Sequence, residues 1–372
     1  MLNVNEIFNS SERNLKVLFL AWTVLQVIMY LHYGIKNSVD SVAYHEASFA
    51  LLNGIVPSGR DIWYTSYFIF IAGISLIGGD SVIVLMQLLL SGVALCCIYR
   101  STNIITDSRR TAFFAGFLYI VWIKIHQWNF YIYTESLFTS MSIISFASLV
   151  LSKTVKQYVF ASLIFLFTFF IRPTGVALLA GLLIYGFALN YQRVSKNARL
   201  MIMSIILISG IILINFMMND FNFINSYQKA EIIYPNISLG LNPPKKTFIP
   251  SEDSSPIVTL IQFIYYNPIY FFSITVIKFL LFIGNVKPYF SPLHNAVIIV
   301  ILYPLYFFAL KGFRYFAPNQ KEHYFIAGFV IAQCAIVSLT SENWDGRFLI
   351  PILPFVFILS AVGINQWFSR VL

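Results

Sequence analysis

Charge is what this chain has least of. Only 10% of its 372 residues are Asp, Glu, Lys or Arg, against about a quarter in soluble domains. With 58% hydrophobic residues and a mean hydropathy of +0.76, it cannot supply the polar skin that a soluble core of this length requires. Cysteine is also scarce. Cys96, Cys97 and Cys334 all fall inside apolar runs, where they read as small packing residues and not as a disulfide framework. Several motifs are missing as well. The absence of a G-x-x-x-x-G-K-[ST] loop, a G-x-G-x-x-G turn and a G-x-S-x-G elbow argues against a nucleotide-driven pump and a soluble-type dehydrogenase. No D-x-D pair occurs, which weakens a nucleotide-sugar reading, and no H-E-x-x-H zinc motif occurs.

What the chain does have is a recurrence of apolar runs bounded by short basic patches, the pattern of repeated bilayer crossings. The net charge of +9 therefore reads as topogenic, with no nucleic-acid partner implied. Runs of spanning length, roughly 17–25 residues with shorter ones tolerated, are 17–34, 81–99, 111–125, 136–152, 158–171, 174–190, 200–217, 295–311, 323–340 and 348–366. Lys16 precedes the first, which is long for a signal h-region and lacks a small-residue cleavage site, so it is expected to be a span.

Two further stretches, 63–79 and 259–285, are decided by charge. With both kept at one interface, ten helices span and both termini are cytoplasmic. The inner side then holds 14 of the 24 basic residues, Arg13 and Arg370 included, against four acids, Glu6, Glu12, Asp107 and Glu322. Making either stretch alone a span would carry Lys311, Arg314 and Lys321 outside, against the positive-inside rule. Asn267-Pro268 interrupts the second stretch and Lys278 lies within it, as suits an interfacial helix. The expected fold is therefore all-α: a single polytopic transmembrane helical bundle over 1–372, with about ten spans and outer-face juxtamembrane helices. These helices fall in a first outer loop, 35–80, and in a large outer loop, 218–294. The expected location is the plasma (inner) membrane.

Three outer segments concentrate polar residues. In the first, Asp40, Ala43, Tyr44, Ala47, Leu51 and Leu52 fall at helical spacing before Gly54, and Asp40 is placed to cap that helix or to serve as a base. The second, 125–135, ends on Glu135 at the mouth of the next span. The third, Ser341 to Phe348, carries Asp345 and Arg347. Ionisable groups at membrane depth are costly and point to function, or else to structural ion pairs such as Glu135 with Arg172 or Lys124. Arg172 and Arg347 are suited either to holding a phosphate or to anchoring helix ends. His45 and His126 lie near acids and leave a divalent metal open, although a satisfied interfacial histidine is the simpler reading of each.

These residues resemble the C-type (GT-C) integral-membrane glycosyltransferases, in particular the bacterial branch similar to protein mannosyltransferases and aminoarabinose transferases. The resemblance rests on Asp40-Ser-Val-Ala-Tyr44-His-Glu-Ala47 running to Gly54, the juxtamembrane 63–79, the basic turn Arg100 to Arg110, and Thr134-Glu135-Ser136. It extends to Arg172-Pro173-Thr174-Gly175 and to Gly346-Arg347-Phe348-Leu349-Ile350-Pro351. Ser41 stands where the family often has a second acid, and Tyr133 to Phe138 is also similar to the GPI-type mannosyltransferase branch. The resemblance implies transfer of a sugar, with inversion, from a polyprenyl-phosphate donor to a hydroxyl of a glycan, lipid or protein acceptor at the outer face. It implies Asp40 and Glu135 as catalytic residues and Tyr44, Arg60, Arg172, Lys278 and Arg347 as the substrate- and phosphate-binding set. Asp40, Glu135 and His45 would be the ligands of any divalent metal. Two other readings stay open: a polymerase or ligase acting on lipid-linked saccharides, and a flippase or transporter of lipid-linked sugars. The transporter is disfavoured because polar groups gather at one face and not at the midplane.

Overall fold

A computed structural model describes residues 11–220, 223–250, 254–316 and 320–371. Glu6 and the side chain of Arg370, both counted in the charge balance, lie outside the described residues. Among those described, the chain is almost wholly α-helical. In order the helices are α1 (Ser11–Tyr33), α2 (Val39–Leu52), α3 (Thr65–Ser75), α4 (Asp80–Thr106), α5 (Arg109–Val121), α6 (Ile123–Gln127), α7 (Thr134–Leu151) and α8 (Val155–Phe169). They continue as α9 (Gly175–Asn190), α10 (Lys196–Asp220), α11 (Phe223–Gln228), α12 (Pro256–Tyr266), α13 (Pro268–Gly284), α14 (Pro292–Phe313), α15 (Glu322–Leu339) and α16 (Leu353–Val371). The one sheet among the described residues is a two-residue parallel pair, β1 (Ile233–Tyr234) with β2 (Glu342–Asn343).

Seven of these helices, α1, α4, α7, α10, α14, α15 and α16, are long and apolar enough to cross a bilayer, or eight if α12 and α13 count as one broken span. The chain is thus built as a multi-pass membrane protein. Every apolar run singled out in the sequence is helical, yet ten full-length spans are not reached. Helix α5 has 13 residues, α8 has 15 and α9 has 16, or about 20–24 Å of rise at 1.5 Å per residue. The run 111–125 is broken at Trp122, whose φ of −80° and ψ of 80° leave the helical region and start the short α6. Helix α3, at 11 residues, is too short to cross. Helices α12 and α13 bend by 106° where Asn267 precedes Pro268, because proline cannot donate into the preceding turn and restricts the residue before it.

Burial separates the centre of the bundle from its rim. Of the apolar windows, 78% of that in α16 and 72% of that in α7 is buried, against 6% in α10. Helix α7 earns the centre with small hydroxyl residues that let neighbours approach: Ser145 Oγ lies 2.9 Å from Thr168 Oγ1 of α8. Helices α14 and α16 pack still closer. A Cβ on Gly312 would collide with the carbonyl of Leu359, and one on Gly363 with the carbonyl of Phe308. Ser360 Oγ donates to Leu305 O at 2.7 Å across the same contact.

The two ends of the bundle differ in chemistry. At one end Gln320 Nε2 donates to Ile105 O at 2.5 Å, and the Arg110 guanidinium lies over the Phe368 ring. The turns after α4, α7, α9 and α14 also belong to this end, with Arg109, Lys153, Arg193 and Arg314 among their residues. The opposite end gathers α2, α3, the starts of α4 and α7, the α8–α9 turn and the loop between α15 and α16.

Candidate active site

The first functional element is α2. Its N-cap is Ser38, not Asp40: the Ser38 backbone N–H donates to Ser41 Oγ at 3.2 Å, and its hydroxyl meets that of Tyr133. The expectation that Asp40 caps this helix is therefore corrected. Serine is a strong capping residue and stands two positions earlier. Asp40 occupies the first turn, where a carboxylate is favoured by the helix dipole, and its side chain is left for other partners.

Arg347 supplies the partner. Its loop is pinned by β2 on β1, by Trp344 N–H donating to Tyr234 O at 3.2 Å, and by Tyr289 OH donating to Trp344 O at 2.7 Å. Gly346 turns the chain with φ +67°, a left-handed conformation that favours glycine. The loop so held places Arg347 Nη1 2.9 Å from Asp40 Oδ2, and Arg347 Nε 3.4 Å from Glu135 Oε1. The same Glu135 oxygen lies 3.2 Å from Nη1 of Arg172, in the turn between α8 and α9. Four segments remote in sequence thus meet in one chain of charges, Asp40–Arg347–Glu135–Arg172.

Exposure is graded along this chain. The side chains of Glu135 and Arg172 are 2% and 5% exposed, that of Arg347 is 18% and that of Asp40 is 39%. Asp40 is thus the carboxylate of the network that faces solvent. Aromatic rings fix the cations: Phe348 lies under both guanidiniums, 5.2 Å from Arg172 and 5.7 Å from Arg347, with Phe138 and Tyr133 on their further sides. The Arg172–Glu135 contact is an ion pair at distance and not a well-directed hydrogen bond, and Arg172 Nε is buried without a hydrogen-bond partner. Burial alone would weaken the Arg347 charge, but Glu135 and Asp40 outweigh it and drive its pKa further up.

The other predicted residues divide. Tyr44 of α2 borders the network, its ring 5.0 Å from Tyr67 and 6.3 Å from Tyr133. Burial, and then the nearby Tyr64, Glu135 and Asp40, raise its hydroxyl well above the ordinary value, so it is a neutral hydrogen-bonding group. Arg60, in the 3₁₀ turn Gly59–Tyr64, bonds to Tyr64, whose ring lies tilted 5.8 Å from that of Tyr44. Lys278 does not join them. It is fully buried in α13, donates to Thr340 O and Ser226 Oγ, and lies 4.1 Å over the Tyr227 ring. Its carbonyl, hydroxyl and ring partners satisfy it as a structural lysine.

His45 lies 3.2 Å from Asp80, which also accepts from Asn37 Nδ2 at 2.5 Å. His126 is buried against Tyr119 O at 2.9 Å, and burial pushes its pKa down to about 4, so it is neutral. Among the described residues no group of three or more His, Cys, Asp or Glu side chains converges to hold a metal ion. Asp40 and Glu135 each pair with arginine and His45 with Asp80.

Two features beside the site were not singled out as sites in the sequence. Lys124 Nζ pairs with Asp345 at 2.8 Å, not with Glu135. Glu342, in β2, is 1% exposed, and burial raises its pKa to about 7 although Lys287 and Arg347 act against the shift. Nothing in the local pattern SENWDGRF marks Glu342 as the buried acid and Asp345 as the paired one.

No family model matches the chain, and no curated protein matches it. Among solved structures it is similar to the crystal structure of ArnT from Cupriavidus metallidurans in the apo state, at 13% identity and a TM-score of 0.48. The alignment covers 97% of this chain and 62% of that one, so the chain spans less than two thirds of the length of that structure.

Proposed function

We propose that this chain is a membrane glycosyltransferase that moves a sugar from a polyprenyl-phosphate donor to an acceptor hydroxyl at the non-cytoplasmic face, with inversion. The observation that carries the reading is the Asp40–Arg347–Glu135–Arg172 chain. It gathers a solvent-facing carboxylate and two arginines at one end of a membrane bundle, from segments up to 307 residues apart. Inverting transfer needs a base at the acceptor and positive charge at the leaving phosphate, and those are the groups present.

In this reading Asp40 takes the proton of the acceptor hydroxyl as its oxygen attacks the anomeric carbon. The bond from that carbon to the phosphate oxygen breaks on the opposite face. The polyprenyl phosphate leaves with the electron pair, its charge met by Arg347 and Arg172 through charge-assisted hydrogen bonds. Tyr44 borders the sugar, and Glu135 holds the arginines. Basic residues at the other end of the bundle support a cytoplasmic location for that end and with it an outer site.

The test is incubation of the purified chain with a panel of polyprenyl-phosphate sugars, following donor consumption and release of polyprenyl phosphate. Wild-type protein should consume at least one donor, and Asp40→Asn should lose roughly 10²–10⁴-fold in rate. Undiminished transfer by a well-expressed Asp40→Asn would remove the base assignment. Movement of intact donor between leaflets without cleavage would replace the enzyme reading with a transporter.

A further inference from the structure

Resting on that glycosyl-transfer reading, we infer that Arg347 is handed from Asp40 to the donor phosphate, so that donor binding uncovers the base. Asp40 Oδ2 accepts from Arg347 Nη1 at 2.9 Å, the shortest contact of the four-residue network. That bond holds Oδ2 against a guanidinium, which crowds an approaching hydroxyl away from that oxygen. Withdrawing Arg347 would free that oxygen for the hydroxyl, and the donor carries a group that can withdraw it.

The network is built for this exchange. Two carboxylates balance two arginines, and a phosphate that takes Arg347 Nη1 displaces Asp40 from it. Glu135 is the poor candidate for displacement, being buried and shared by Arg172 and Arg347. Asp40 is the ready one, because it is the most exposed member and can be taken up by water. Arg347 can turn its Nη edge while Nε stays near Glu135 and the plane stays against Tyr133 and Phe348. Arg172 adds a second donor. Its Nε is buried, lacks a hydrogen-bond partner and belongs to the guanidinium on the same Glu135 oxygen. Glu135 is then a positioning residue, the pivot that keeps both arginines in place before and after the exchange. The order of events follows: donor first, acceptor second.

The exchange makes an unusual demand, that removing the base should tighten the binding of the leaving group. Polyprenyl phosphate is titrated against the full chain in nanodiscs, with inorganic phosphate run in parallel. The proteins are wild type, Asp40→Asn, Asp345→Asn, Arg347→Gln and the Asp40→Asn/Arg347→Gln double variant. Asp345→Asn removes the same charge two residues from Arg347, but from a carboxylate that pairs with Lys124.

Asp40→Asn should bind polyprenyl phosphate about tenfold tighter than wild type while failing in transfer, the scale of one charge-assisted bond no longer competed for. Asp345→Asn should change affinity by less than about threefold, Arg347→Gln should lose about tenfold, and the double variant should show no tightening over Arg347→Gln. Inorganic phosphate should follow the same order at lower affinity. Equal or weaker binding by Asp40→Asn overturns the handover, as does equal tightening by Asp345→Asn, which would mark a general field effect. If Asp40→Asn abolishes transfer with unchanged affinity, the base assignment survives and the handover falls. If wild type neither binds polyprenyl phosphate nor consumes a donor, the glycosyl-transfer reading falls and the handover with it.

Discussion

One oxygen of Glu135 sits between two guanidiniums, 3.2 Å from Arg172 and 3.4 Å from Arg347, and removing it should have a different consequence from removing Asp40. With Glu135 gone, the buried Arg172 loses its counter-charge while Arg347 keeps Asp40, and breaking a buried pair costs roughly 3–5 kcal/mol. Glu135→Ala should therefore lower the thermal unfolding midpoint in detergent markedly. Asp40→Asn cuts a pair that is partly exposed at Asp40 and should leave the midpoint nearly unchanged, at a cost of about 0–1 kcal/mol. Equal shifts for the two would mean that Glu135 is not the structural pivot. Glu342 adds a pH signature. Its folded pKa is raised from 4.5 to about 7, so folding favours the protonated acid. That contribution is complete below about pH 4.5 and is lost as pH rises through about 7. Between pH 5 and pH 8 the unfolding midpoint of wild type should fall, and that of Glu342→Gln should fall less (buffer scans at matched ionic strength check this). Single residues were partly legible in the sequence. Asp40, Glu135, Arg172 and Arg347 stand out because charge in this chain is rare, and Glu135 with Arg172 was one of the ion pairs expected. The pairing of Arg347 with Asp40 was not legible, since no spacing rule links residues 307 positions apart. Lys278 entered the phosphate-binding set through the family resemblance, and its contact with the carbonyl of Thr340 is visible only in the packed structure.

At the scale of elements, hydrophobic runs forecast helices well and their ends poorly. Helix α4 runs through Arg100 to Thr106, seven residues past the apolar run that announced it, because polar residues at a helix end cost nothing once they leave the hydrocarbon. The break at Trp122 carried no proline or glycine signal, whereas the bend at Asn267-Pro268 did. Helix–helix crossings were invisible in the sequence, since a glycine in an apolar run signals nothing until its neighbour is known. The α14–α16 crossing is the clearest case. Gly312 and Gly363 bring two backbones into contact, and in lipid that close approach replaces the hydrophobic driving force available in water. Gly363→Leu should force the helices apart and lower the unfolding midpoint or the yield of monodisperse protein. Gly186→Leu in α9, where an added Cβ meets nothing within 4 Å, should be tolerated. Similar behaviour of the two variants by size-exclusion profile and thermal scan would remove the crossing from the account of stability.

For the whole molecule, the functional proposal depends on which way the bundle faces. The charges are segregated by position: Arg109, Arg110, Lys153, Lys156, Arg193, Lys196, Lys311 and Arg314 sit at or beside helix ends on the side opposite Asp40, Glu135 and Arg347. That segregation comes from the sequence and survives even though α5, α8 and α9 are shorter than full spans, because each still reverses the chain. A polyprenyl-phosphate donor flipped to the outer leaflet can be used only if the Asp40 end is outside, so orientation and mechanism stand together. The discriminating measurement is labelling of intact cells with a membrane-impermeant maleimide. The background is a chain in which Cys96, Cys97 and Cys334 are replaced, with Ser58→Cys at the site end and Gln192→Cys between α9 and α10 at the other. Both positions are exposed, so reactivity reports sidedness and not burial. Ser58→Cys should label in intact cells, and Gln192→Cys only after permeabilisation. The reverse pattern would put the arginine network in the cytosol, where a lipid-linked donor confined to the outer leaflet could not reach it. In that case the positive-inside argument and the outer-face transferase would fail together, however well the four residues are arranged.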